Sequence, residues 1–282
     1  DLWSARRAGI RSVESQYFTT ERNLETAKLS LVAEITRTWL NYSAWKQLLG
    51  VVQQRQEHIQ QWYQVRLFEF KKGSARASDV LTLKQSLASI AAEIDTYQTQ
   101  LQLSRHQLML LLGQPDELSI DGCRVFAKPV EITTDLPWRT LLGKRPDIQA
   151  QWQQVMTSQW NAVAAEANRY PTFSLSLGVS SSSDGLSDLL DNWIWSLAGK
   201  LAMTIFDGDA KALEFKRQQV IVREQLKRYE ETVLNAITEV KDAWLNEAST
   251  QRQIGLLIER QTSIELQMQQ WQQGYTSGYD SY

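Results

Sequence analysis

The residue types that first invite a chemical reading are two histidines, a single cysteine and an Asp-Gly-Asp run. His58 and His106 sit in helical runs without the partner spacing that a metal site needs, so both read as surface residues. Cys123 cannot form an intrachain disulfide and lacks the neighbours of a zinc site. It reads as a small residue in a connector. Asp207-Gly208-Asp209 lacks the alternating oxygen ligands of a calcium loop. A turn followed by a helix cap explains it better. No Gly-rich phosphate loop and no nucleophile elbow is present. The expectation is a protein with no catalytic residue, no metal ligand and no cofactor, and therefore not an enzyme.

The chemistry that the spacing does support is a division of solvents. Phe173, Leu175, Leu177 and Val179 alternate with Ser174, Ser176, Gly178 and Ser180. In a strand these two sets point to opposite faces. Trp195, Leu197, Leu201, Met203 and Ile205 then share one parity, interrupted by Gly199. Ser196, Ala198, Lys200, Ala202 and Thr204 share the other. Each segment is roughly 9–11 residues long, the length of a tilted strand across a bilayer. Lipid on one face and a water-filled lumen on the other would demand this pattern, with Trp193 and Trp195 near the loop end. Phe173, Leu175, Leu177, Val179, Trp195, Leu197, Leu201, Met203 and Ile205 are the expected lipid-facing row. Ser174, Ser176, Ser196, Lys200 and Thr204 are the expected lumen-facing row. A lysine on the lipid face would cost about 2–4 kcal/mol near the midplane, which assigns Lys200 to the lumen.

Alternation alone fits a half-buried hairpin in a soluble domain equally well. The setting separates the two readings. A lone hairpin is marginal in water, and open sheet edges are forbidden in lipid. Further strands must come from sequence outside this chain, from other subunits, or from both.

The elements that would carry this hairpin are helical and very long. All five prolines lie between Pro115 and Pro171. Proline inside a helix costs about 3 kcal/mol or more, so its absence elsewhere permits long uninterrupted helices. Residues 1–72 predict one helix of roughly 100 Å. Gly73 interrupts it, and a second run from about Ser78 to Leu112 stops at Gly113 with Pro115 beyond. A third helix begins near Trp138 or Arg145 and runs to about Asn168. Asp209 to Gln273 predicts a further long helix with Gly255 inside it. The segmentation is therefore a helical hairpin over 1–113, a connector over 114–137 and a helix toward the membrane over 138–170. The strand pair follows over 171–206, with an extracellular loop near 181–192, and 207–282 holds the second long helix and the start of its tip.

Charge narrows the class. The 282 residues contain 30 Lys+Arg and 32 Asp+Glu, and the net charge of −2 argues against a partner bound by phosphate neutralisation, such as nucleic acid. No apolar run reaches the length of a transmembrane helix, and no signal peptide opens the chain.

The two long helices repeat each other at an offset of 205 positions. Trp39-Leu40-Asn41 meets Trp244-Leu245-Asn246, Glu34 meets Glu239, and Gly50 meets Gly255. Arg55-Gln56 meets Arg260-Gln261, Ile59 meets Ile264, and Phe70 to Gly73 meets Tyr275 to Gly278. A duplication predicts units of strand hairpin, descending helix, turn and ascending helix. On that plan a first hairpin lies before Asp1 and a last helix after Tyr282.

Several stretches, in order, resemble the outer-membrane efflux protein (TolC) family, and most nearly its branch paired with resistance-nodulation-division pumps. Lys144-Arg145-Pro146-Asp147-Ile148 is similar to the family's Arg-Pro-Asp-Ile helix start. Tyr170-Pro171-Thr172-Phe173-Ser174-Leu175 resembles its lead-in to a strand, and Ile205-Phe206-Asp207-Gly208 its exit from the hairpin. Leu110 to Pro115 resembles its Leu-Leu-Gly-x-Pro helix end. The aromatic-x-x-Gly turns at Phe70 and Tyr275, and Ser78-Asp79-Val80-Leu81, resemble its periplasmic helix tips. Thr204 departs from the proline often found before the exit motif, and Asp280 from a basic residue of some members.

The resemblance implies a mainly α fold with a transmembrane β-hairpin. In it a homotrimeric α-helical barrel continues a twelve-stranded outer-membrane β-barrel. Three-fold closure would remove the edges that one hairpin leaves open. It further implies a Gram-negative outer-membrane location extending into the periplasm, surrounding lipid, and two protein partners: a periplasmic adaptor and an inner-membrane pump. The implied activity is passive conduction of expelled drugs, metals or peptides. The tip residues would be Phe70, Gly73 and Asp79, with Tyr275, Gly278 and Asp280 at the second tip. An adaptor would dock near them, and Asp79 would either ring a closed aperture or complement its helix's macrodipole. The alternative is a periplasmic adaptor or structural coiled-coil protein, whose helical hairpin would be flanked by short soluble β-domains.

Overall fold

A computed structural model describes residues 2–114, 138–181 and 193–276. Its elements are α1 (Ala5–Lys71), α2 (Ala77–Leu112), α3 (Trp138–Lys144), α4 (Pro146–Ala167), β1 (Thr172–Ser181), β2 (Trp193–Ala202) and α5 (Ala210–Thr276). The fold is mainly helical. Among the described residues no helix is long and apolar enough to cross a membrane. Cys123 and most of the connector lie outside the described residues.

α1 and α5 are copies in more than sequence. Each has 67 residues. Their first and last residues are both displaced by 205 positions, the offset of the sequence repeat. The residue before each helix adopts a left-handed conformation: φ is 63° at Ser4 and 66° at Asp209. Their carbonyls accept the first turn's bonds, Ala8 N to Ser4 O at 2.8 Å and Leu213 N to Asp209 O at 2.9 Å. A left-handed non-glycine residue is uncommon, so two of them at the same repeat position support a duplicated unit.

The chain forms two compact units. One comprises 1–23 with 135–282, the other 24–134. In the first, Ala8, Ser12 and Ser15 of α1, Ala236 of α5, and Ile148, Ala150, Val155, Ala162 and Ala167 of α4 are buried. Small side chains dominate this set, which lets helix backbones approach closely. Ser12 donates to Asn161 Oδ1 at 2.7 Å, and the Arg11 guanidinium lies 4.7 Å from the Trp160 ring centroid.

Arg145 fixes the start of α4. Proline at the first helical position is pre-organised for a helix, and Pro146 occupies it. Arg145 Nε and Nη2 donate to both oxygens of Asp147 at 3.1 and 2.8 Å. Nη2 also donates to Glu239 Oε2 of α5 at 2.7 Å. The Arg145 hydrogen bond holds the Asp147 carboxyl below its ordinary value, against partial burial. Asp147 Oδ1 also accepts the Ile148 amide at 2.9 Å.

In the second unit cross-helix contacts join α1 to α2. Tyr42, Val52, Val80, Ile90 and Leu108 are its buried apolar residues. Trp45 and Tyr97 lie 5.7 Å apart. Gln107 donates to Glu34 at 3.3 Å, and Arg55 pairs with Glu93. Gly113 ends α2 with φ 66°, and Gln114 N donates back to Met109 O at 3.1 Å.

Candidate functional site

The antiparallel register decides what the hairpin presents. Phe173 stands opposite Leu201, Leu175 opposite Gly199, Leu177 opposite Leu197 and Val179 opposite Trp195. On the other face Thr172 meets Ala202, Ser174 meets Lys200, Ser176 meets Ala198 and Gly178 meets Ser196. Directly opposed residues share a face, so the apolar rows of both strands combine on one side. A slip of one residue would have mixed them.

The apolar face has no cover within the described residues. Leu177 and Leu197, at its centre, are 66% and 70% exposed. The Phe173 ring comes within 3.9 Å of where a Gly199 side chain would begin, so an aromatic ring fills the gap in the apolar row. The opposite face satisfies itself with small groups. The Thr172 and Ser196 hydroxyls donate to the carbonyls of Ala202 and Gly178 at 3.3 and 3.4 Å. A Cβ at Gly178 would stand 2.7 Å from Ser196 Oγ, so a larger residue there would require that hydroxyl to rotate away.

β2 ends at Ala202, so Met203, Thr204 and Ile205 lie beyond the regular strand. Pro171, which would oppose Met203, gives its carbonyl to the Trp3 indole N–H at 2.7 Å rather than to the ladder, and Trp3 stacks on Tyr170 at 4.9 Å. Thr204 accepts a hydrogen bond from Lys211 Nζ at 3.0 Å. Asp207 caps α5, its carboxylate accepting the Lys211 amide at 3.3 Å. Sequence reasoning missed the Trp3 contact, since 168 residues separate its partners.

The first helix tip is a tight turn. Gly73 has φ 80°, its amide donates to Phe70 O at 2.9 Å, and Ser74 N donates to Glu69 O at 2.9 Å. Glycine suits this left-handed position, where other side chains are strained. Phe70 is exposed. Asp79 lies in the first turn of α2 and accepts from Ser78 Oγ at 3.2 Å. Tyr275 falls within the last turn of α5. Gly278 and Asp280 lie outside the described residues.

Known proteins resemble this chain along its length. The family model described as "Outer membrane efflux protein" matches residues 1–114 and 138–282. Cation efflux system protein CusC of Escherichia coli is 26% identical over 275 residues, covering 94% of this chain and 58% of that protein. Outer membrane protein OprJ of Pseudomonas aeruginosa is 25% identical, covering 100% of this chain and 60% of its own length. The crystal structure of the outer membrane protein VceC from Vibrio cholerae superposes with a TM-score of 0.87 at 21% identity, covering 100% of this chain and 68% of that one. That likeness shows the shared fold. The chain spans about three-fifths of the length of the curated relatives it matches. The names of OprJ and VceC place those proteins in the outer membrane, the location that the family's description also carries. On the family match over both helical hairpin and strand pair, the chain belongs to the outer membrane efflux protein family.

Proposed function

We propose that the chain forms, with two further copies, an outer-membrane channel that passively conducts solutes expelled by an inner-membrane pump through a periplasmic adaptor. The observation that carries this reading is the register of β1 and β2, which gathers a mostly apolar, exposed face from Phe173/Leu201 to Val179/Trp195 and a mostly small, polar face opposite it, with Ile194 the one large apolar residue on the polar side. Two ten-residue strands with that division suit a tilted crossing of the hydrocarbon core.

On this reading Phe173, Leu175, Leu177, Val179, Trp195, Leu197 and Leu201 face lipid, with Met203 and Ile205 continuing the row toward the periplasmic boundary. Ser174, Ser176, Ser196 and Lys200 face the lumen, and Thr204 lies at its periplasmic mouth. Backbone edges cannot stay open in lipid, so three copies of the whole protein, each adding to this hairpin the second one that the repeat predicts, close a twelve-stranded barrel. α1, α2, α4 and α5 form the wall of the periplasmic tunnel. The tips at Phe70, Gly73 and Asp79, and at Tyr275, Gly278 and Asp280, receive the adaptor.

The test is fractionation and crosslinking of the whole protein made in a Gram-negative host without its own channel. The expected result is a protein released from the outer membrane only by detergent, crosslinked as a trimer, that restores efflux beside its pump and adaptor. A water-soluble monomer in the periplasm would reject the channel and favour the adaptor or coiled-coil alternative.

A further inference from the structure

We propose that Lys200 forms a three-fold band of positive charge that biases the barrel lumen toward anionic and neutral solutes and against free cations. The inference rests on the trimeric barrel reading above and adds a selectivity to it.

Lys200 is the only charged residue among the twenty of β1 and β2. The register sets it opposite Ser174, with Thr172/Ala202 and Ser176/Ala198 as the flanking pairs on the same face. None of these carries a carboxylate. Lys200 is exposed and has no ion pair among the described residues. Its own carbonyl accepts from Ser174 Oγ at 3.5 Å, a contact that leaves the ammonium unengaged. The carboxylates next in sequence, Asp207 and Asp209, lie beyond the end of β2, and Asp207 is occupied with the first turn of α5. The register, not the cost of burial, assigns the charge: Lys200 stands on the face opposite the row of Phe173, Leu175, Leu197 and Leu201. The third residue pair from the α4–α5 end holds it, so the band lies toward the periplasmic mouth of the barrel.

Geometry makes three such charges act together. Twelve strands about 4.8 Å apart and tilted about 40° close a backbone cylinder about 24 Å across. A lysine reaching inward about 6 Å then stands within roughly one Debye length, about 8 Å, of the axis. A solute on the axis feels all three copies at once. Like charges lining a narrow, low-dielectric wall focus their field instead of losing it to solvent.

The experiment reads the lumenal potential directly. Ser174→Cys is introduced in a Cys123→Ser background of the whole protein and treated in intact outer membranes. The probes are two methanethiosulfonates of similar size, one with a sulfonate tail and one with a trimethylammonium tail. The ratio of their reaction rates reports the potential at position 174, since any change in thiol reactivity itself cancels. Relative to the same ratio for a free thiol in solution, the anionic probe is expected to be favoured. The ratio should fall about tenfold with Lys200→Gln, persist with Lys200→Arg and invert with Lys200→Glu. An equal ratio with Lys, Gln and Glu at 200 would overturn the proposal. Leu175→Cys separates this from failure of the barrel reading. If Leu175→Cys reacts as fast as Ser174→Cys, or faster, the two faces do not see lipid and lumen, and the channel reading and this inference fall together.

Discussion

The strand pair and α4 are both amphipathic, yet they resolve their apolar faces in opposite ways. α4 buries Ile148, Val155 and Ala162 within the unit it forms with α5 and the start of α1. Every residue of β2 stays exposed, and Leu197 and Leu201 each retain 70% of their accessible surface. α4 finds its apolar solvent inside its own chain, whereas the apolar row of the hairpin is left exposed among the described residues. The side-chain sizes agree. α4 buries several small residues that admit close helix approach, while β1 and β2 display Phe, Leu and Trp, which suit contact with fluid acyl chains.

That contrast can be broken at several points. The largest effect is expected from Ile148→Ala. Removing a buried isoleucine should destabilise the helical unit by about 2–5 kcal/mol, in detergent and in membranes alike, as measured by thermal or denaturant unfolding. Leu177→Lys should cost about 2–4 kcal/mol in the bilayer, read as loss of membrane-inserted protein, with little change in helix stability. Its neighbour on the other face, Ser176→Lys, should insert nearly as well as the parent. Equal loss from both substitutions would erase the distinction between faces.

A smaller effect is expected at the start of α4. Asp147→Asn removes the carboxylate bonded by Arg145 and the Ile148 amide, and should cost about 1 kcal/mol. The sign with pH follows from the depressed carboxyl. Its contribution is present above the ordinary value of 3.8 and disappears as pH falls through the lower folded value. The parent should therefore lose more stability on acidification through that window than Asp147→Asn does. The smallest effect concerns Glu214, whose carboxyl is drawn down to about 2 by hydrogen bonds from Arg217 and then Gln218. Arg217→Ala should return its NMR titration midpoint toward the ordinary value of 4.5 while leaving unfolding unchanged.

Much of the helical character was legible because proline is confined to one stretch of the chain. The strand pair was legible because its alternation is nearly unbroken, and the repeat because Trp39 and Trp244 share a register with the paired glycines. Three features were not legible. The end of β2 at Ala202 was one, because the alternation of the sequence runs on through Met203 and Ile205 without a break. The pairing of Arg145 with Glu239 joins residues 94 positions apart. The Trp3–Tyr170 stack joins the start of α1 to the foot of β1. Local pattern carries no information about which distant side chain will be adjacent.

The sequence by itself determined the periodicities: a period near 3.6 without proline makes helices, and a period of two makes faces. It also determined the repeat, since a duplicated string needs no fold to be seen. Only the tertiary structure decided the register that places Leu177 against Leu197 and Ser174 against Lys200. The reason is that alternation specifies two faces for each strand alone, and only hydrogen-bonded pairing chooses which face of one joins which face of the other.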